Sequence, residues 1–141
     1  MADLRLFTVA EAERALPLVR RILADLSSEY PLWRQAVSSY ELLAGAARSD
    51  WGETPELVAA RDQVSHRAER ISSWLAELEQ IGCVFKGFDP PLVDFYSLRD
   101  DRLIFLCWQP DDQHVTHWHE VDEGFSGRHP LATDALGPIV N

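Results

Sequence analysis

Between Val9 and Ala47, apolar side chains recur every three or four residues without a gap. They are Val9, Ala12, Leu16, Val19, Leu23, Leu26, Tyr30, Trp33, Val37, Tyr40, Ala44 and Ala47. Only an α-helix puts that spacing on one stripe, and a strict heptad stripe of this length needs something to lie against. Thr8 and Glu11 open it as a capping box, the threonine as N-cap and the glutamate at N3. Pro17 and Pro31 fall inside the pattern, and each removes a backbone donor and favours a kink. The register runs through both, which predicts one kinked helix over 9–47, with a break near Pro31 as the alternative.

A second helix follows. Thr54 and Pro55 supply an N-cap and a proline at the first helical position. Leu57, Val64, Ala68, Ile71, Leu75 and Leu78 repeat the heptad spacing, with Arg61 as the polar intrusion, and Gly82 marks the left-handed stop. Residues 48–54 form the turn between the two. A helix of about 39 residues is roughly 58 Å long, against a diameter of about 37 Å for a compact chain of this size. The expectation is a hairpin that overhangs the body and pairs with a second copy, giving a homodimer through the long helices. Two shorter rods tucked around the sheet would remove that need.

The chain has 141 residues, 46% hydrophobic and 26% charged, which fits one globular domain able to bury a core without metal or disulfide. The expected divisions are a helical hairpin over 9–81, a sheet over 83–121, and a loop and tail over 122–141. A net charge of −10 with no basic stripe argues against nucleic-acid binding. The longest apolar runs, such as Leu103 to Trp108, are too short to span a membrane. The first residues lack the basic start and apolar stretch of an export signal. The only cysteines are Cys83 and Cys107, read as reduced thiols of a cytoplasmic protein.

Beyond Gly82 the period changes to short β-prone runs divided by turn residues. Strands are expected over 83–88, 92–97, 102–108 and 114–121, so the fold class is α+β: a long antiparallel helical hairpin, then a small four-stranded antiparallel sheet and a glycine-containing loop. With Asp100 and Asp101 as turn centre, Asp94 lies opposite Cys107 and Tyr96 opposite Phe105. With 109–113 all loop, Cys107 pairs Val115 and Phe105 pairs His117. One face then carries Val93, Phe95, Ile104, Leu106, Trp108 and Trp118, apolar enough to lie on the helices. The other carries Asp94, Tyr96, Phe105, Cys107, His117 and His119.

Chemistry concentrates on that second face. His114, His117 and His119 fall within six residues, and strand periodicity puts His117 and His119 on one side. With Asp94, and with or without Cys107, they make a ligand set for a divalent metal such as zinc, iron or manganese, which would activate water or a substrate oxygen. The plainer account is a surface strand whose imidazoles are solvated or bonded to a neighbour such as Glu120. Cys107 is a nucleophile only if His117 activates it; otherwise it is an inert small hydrophobe. Asp94, between Val93 and Phe95, needs a partner, and Lys86, Arg128 or a histidine would serve. Gly124 to Pro130 is a loop whose N–H groups and Arg128 guanidinium suit a carboxylate or phosphate, unless Arg128 merely pairs an acid.

Several segments taken together resemble a known family. They are Phe7-Thr8 with Glu11-Ala12 and Leu16-Pro17, Lys86 with Asp89 and Leu92 to Phe95, Leu106 to Trp108, and Trp118 to Glu120 with Gly124 to Arg128. Their order and spacing resemble the prokaryotic domain of unknown function 2203 over nearly the whole chain. The resemblance implies a small bacterial protein and supplies no activity. It does favour a site of Asp94, His119 and Arg128, since His114 and His117 lie outside the family's pattern. The loop before Leu92, with Phe88 and Pro90-Pro91, departs from it. Two readings follow. One is a homodimeric binding or assembly module, with Trp118, Glu120, Phe125 and Arg128 around a small anionic ligand or protein partner. The other is a metal-dependent, hydrolase-like enzyme with His117, His119 and Asp94 as ligands, Asp94 doubling as a base, and Arg128 as anion clamp.

Overall fold

The computed structural model describes residues 4–47 and 52–131, and not the side chain of Phe125. Among the described residues, two helices, α1 (Val9–Ala46) and α2 (Pro55–Ile81), precede five strands: β1 (Cys83–Phe88), β2 (Pro91–Arg99), β3 (Arg102–Trp108), β4 (His117–Glu120) and β5 (His129–Pro130). The class is α+β, as expected from the change of period at Gly82.

The caps form as the residue types require. Glu11 N–H donates to Thr8 Oγ1 at 3.0 Å, and Thr8 N–H donates to Glu11 Oε1 at 2.9 Å. Thr54 Oγ1 accepts from Leu57 N–H at 3.1 Å. Gly82 ends α2 at φ +105° with its N–H on the carbonyls of Leu78 and Glu79. Helix α1 runs unbroken through both prolines, which sit on its exposed side. A helix-interior proline costs ~3 kcal/mol. Leu16, Val19, Leu23 and Leu26, all buried, each return about 1.5–3 kcal/mol on burial, so the seam wins.

Among the described residues the chain divides into two compact units. One contains the chain up to Leu23 together with Glu77 onward, and the other is Ala24–Ala76. In Ala24–Ala76, Leu26 and Glu29 are buried. The Glu29 carboxylate meets Arg67 Nη1 at 2.6 Å and Arg70 Nε at 3.2 Å, which ties α1 to α2. Tyr30 stacks on Trp33, while Leu32, Leu42 and Leu43 of α1 stay exposed.

The other unit contains the sheet, an antiparallel meander in the order β1-β2-β3-β4-β5. Strand β1 pairs with β2 only as far as Phe95. Beyond that point Phe7 takes the open edge: its N–H donates to Tyr96 O, and its carbonyl accepts from Ser97 Oγ at 2.6 Å. Its ring meets Phe95 edge-on at 5.0 Å. Val93, Phe95, Ile104, Leu106 and Trp108 are fully buried on the apolar face.

Asp100 and Asp101 have φ of 53° and 63°, the left-handed pair that a tight two-residue hairpin demands. The register that follows sets Asp94 opposite Cys107 and Tyr96 opposite Phe105, as expected. The next hairpin differs. Cys107 pairs His117 and Phe105 pairs His119, two residues later than expected, because the loop extends to Thr116. Glu13 holds that loop open by accepting from Val115 N–H and pairing with His114. Arg20 donates to the carbonyls of Pro110 and Asp112, and Trp108 Nε1 donates to Asp112 O. A shift of two keeps every side chain on its expected face.

Residues 122–131, expected as loop, supply a single 3-10 turn, Phe125–Gly127, and the two-residue strand β5 on the edge of β4. Residues 48–51 of the turn expected over 48–54, and the tail from 132, lie outside the described residues. No helix among the described residues is long and apolar enough to cross a membrane.

Candidate functional site

The polar face of the sheet carries its chemistry on β2, β3 and β4. Asp94, Cys107 and His119 come from these three strands, and all are buried, at 2%, 1% and 3% exposure. A cavity of about 220 Å³ opens against them. Lys86 and Glu123 bring charge to its wall, and Leu92 and Gly124 complete it.

Lys86 reaches the cavity through a defect in pairing. Phe85 pairs Val93 and Gly87 pairs Leu92, so Lys86 is the extra residue of a β-bulge, the device that re-aims a side chain at a sheet rim. Gly87, at φ +140°, makes the bulge possible. The ammonium of Lys86 lies 3.8 Å from Asp94 Oδ2 and 4.5 Å from the centre of the Phe105 ring.

His119 is held by both ring nitrogens. Nδ1 lies 2.7 Å from the carbonyl oxygen of Glu120 and Nε2 lies 3.0 Å from Asp94 Oδ2. A carbonyl only accepts, so Nδ1 carries a hydrogen. The contact between Nε2 and Oδ2 must then hold one further proton, on the ring or on the acid. Burial pushes Asp94 above the usual carboxylate range, although the charges of His119 and Lys86 pull the other way. Burial, reinforced by the Asp94 charge, also raises the Cys107 thiol to about 12, with Arg128 opposing. A thiol so protonated is not a nucleophile near neutral pH.

The residues singled out by the sequence fall into three groups. Asp94 and His119 meet at the cavity. His117 shares their face, yet its Nδ1 lies 2.9 Å from Thr116 Oγ1, and the convergent donors are Asp94, Cys107 and His119. Burial and the Arg128 charge hold the His117 ring below its ordinary value. His114 pairs with Glu13 instead.

The remaining residues line other surfaces or support the site. Trp118 lies on the opposite face, between the Arg99 guanidinium at 4.5 Å and the His129 ring at 4.6 Å. The Glu120 side chain is taken by a two-pronged ion pair with Arg102, so its part in the site is its main-chain carbonyl. Arg128 lies 3.6 Å from Asp112 and interacts with the Cys107 thiol from beside the cavity. The side chain of Phe125 lies outside the described residues.

Sequence reasoning missed Glu123. Its N–H donates to Glu120 O while its Oε1 accepts from Glu120 N–H, a reciprocal turn that folds the carboxylate back to the cavity. Gly127 makes room, since a Cβ there would stand 3.1 Å from Glu123 Oε2. The signal was the spacing Glu120-x-x-Glu123 before a glycine pair, legible only once 121–124 are known to turn.

No curated protein and no solved structure matches this chain. The sequence profile of one family matches residues 5–131, under the description "Uncharacterized conserved protein (DUF2203)". That match covers most of the chain and includes every residue lining the cavity, and the chain accordingly belongs to the family of domain of unknown function 2203.

Proposed function

We propose that this protein is a binding module of the cytoplasm that holds a small anionic ligand against the polar face of its sheet and works as a homodimer. The observation that carries the reading is the cavity of about 220 Å³ with a bulged lysine on its wall and a buried His119–Asp94 pair behind it. Lys86 offers a partly exposed cation, and the shared proton lets His119 and Asp94 answer either a donor or an acceptor on the ligand.

The test is thermal denaturation with phosphate, sulfate, acetate and citrate, for wild type and Lys86→Ala. At least one anion raises the wild-type midpoint with rising concentration, as mass action requires, and loses the effect in the variant. Equal shifts in both proteins, or none at millimolar anion, would overturn the reading.

Support for the homodimer comes from α1, where Leu42 is 77% exposed and Leu32 and Leu43 are also exposed, beside a half-buried Tyr30, Trp33 and Tyr40. Light scattering is expected to give twice the 16.0 kDa chain mass. Leu42→Ser with Leu43→Ser should halve it, and a wild-type monomer at micromolar concentration removes the proposal.

A second reading is a metal-dependent hydrolytic centre, and it draws on the convergence of Asp94, Cys107 and His119. Hydrolysis of p-nitrophenyl acetate or phosphate by metal-loaded protein, absent in His119→Ala, would support it. Equal rates would dismiss it.

A further inference from the structure

We propose that Asp94, Cys107 and His119 form a binding site for one zinc-like divalent ion, with an open coordination position directed into the cavity. This deepens the pocket reading by naming what the buried wall binds, and rests on that reading only for access to the ion.

Geometry comes first. One donor atom from each residue lies within 4.8 Å of the other two. Tetrahedral ligands about 2.0–2.3 Å from zinc stand ~3.5 Å apart, so the donors need to close by little more than ~1 Å. Side-chain rotation is the movement required, because the three strands already set Asp94 opposite Cys107 and His119 opposite Phe105, two residues further along β3 on the same face.

The donor types decide the ion. A thiolate, an imidazole and a carboxylate suit a borderline-soft ion, whereas magnesium, calcium and manganese take oxygen sets. Three protein ligands and one open position are the arrangement that leaves zinc able to take a ligand oxygen. The orientation of His119 fits as well. Its Nδ1 hydrogen is committed to the Glu120 carbonyl, the outer bond that aims the other nitrogen of a metal-bound imidazole. At present Nε2 and Asp94 Oδ2 face each other across one proton. A cation between them replaces that proton, and the Cys107 thiol, which now bonds to Asp94 and Arg128, joins as a thiolate by releasing its own proton to solvent.

Lys86 is the competitor. Its ammonium is the cation now nearest Asp94, but the side chain is 38% exposed and also lies over the Phe105 ring. It can therefore withdraw and keep a partner. Removing its charge should strengthen metal binding, an effect that a surface site at His114 or His117 would not show.

The experiment uses the full chain, stripped with chelator, titrated with cobalt and then competed with zinc. One ion per chain is expected, with a near-ultraviolet thiolate-to-cobalt band. Cys107→Ser should lose that band, His119→Ala should weaken zinc at least about tenfold, and Lys86→Gln should tighten it. Lys86 is on the surface, so that variant reports even if a buried substitution fails to fold. No thiolate band at saturating cobalt, or unchanged zinc affinity in both His119→Ala and Lys86→Gln, overturns the proposal. Zinc binding without any anion-dependent stabilisation would sink only the anion reading. Anion stabilisation without zinc binding would sink only this one.

Discussion

His119 Nε2 lies 3.0 Å from Asp94 Oδ2 while its other ring nitrogen is committed to the carbonyl of Glu120. Two acceptors cannot face each other at that distance, so a single proton joins a carboxyl group and an imidazole that are both almost wholly buried. This bond gives each of the two buried groups a partner, and it leaves one exchangeable position that a ligand or ion can claim.

Asparagine at position 94 can donate an amide hydrogen to a neutral His119, so Asp94→Asn should keep the bond and change stability by about 1 kcal/mol or less. Asp94→Ala strands a buried ring nitrogen and should cost about 1–3 kcal/mol. Urea midpoints of the two variants decide the matter, and equal losses would show that the bond contributes nothing.

Glu29 should give the helical unit a pH dependence. Burial acts to raise its carboxyl, but the guanidinium groups of Arg67 and Arg70 outweigh this and hold it below its ordinary value of 4.5. A depressed carboxylate contributes stability that is present above the ordinary value and lost as pH falls through the folded one. Glu29→Gln should cost about 1–3 kcal/mol near pH 7, below the range for a fully buried pair because Arg70 is half exposed. The gap to wild type, followed by circular dichroism in urea, should shrink below pH 4.5. A constant gap would mean that charge is not its source.

Gly82 carries two constraints at once. Its φ is +105°, and a Cβ there would stand 3.0 Å from the Arg5 side chain. Arg5 also donates to the Ile81 carbonyl. Gly82→Ala should therefore cost about 1–2 kcal/mol, measured as a lower urea midpoint. An unchanged midpoint would show that the α2 stop tolerates a side chain.

Asp101 runs the other way. It holds φ +63° without being glycine, in a turn type that favours glycine at its second central position. Asp101→Gly should raise stability by up to about 1 kcal/mol. A loss would mean that the carboxylate makes a contact worth more than the relieved strain.

Much of the architecture follows from local rules that need no partner. The capping box of Thr8 and Glu11, the N-cap at Thr54 and the stop at Gly82 depend on residues within four positions of one another. The heptad seam overrides Pro17 and Pro31 because adjacent turns of one helix sum their burial. The Asp100-Asp101 turn sets the β2–β3 register, and with it the juxtaposition of Asp94 and Cys107. Two candidate residues, Asp94 and His119, were legible as an acid in an apolar strand and a histidine on the same face.

Contacts distant in sequence settled the remainder. Glu13 and Arg20, about a hundred positions before the residues they hold, lengthened the loop ahead of β4, so His119 rather than His117 faces Phe105. The bulge at Lys86 brought an ammonium beside Asp94. The turn at 121–124 folded Glu123 back, and Trp118 and the Glu120 carboxylate found partners away from the cavity. Periodicity fixes which face a side chain takes, because it depends only on the backbone's own repeat. How far one strand slides along another, and which donors consequently meet, depends on energies summed over residues that lie far apart in the chain.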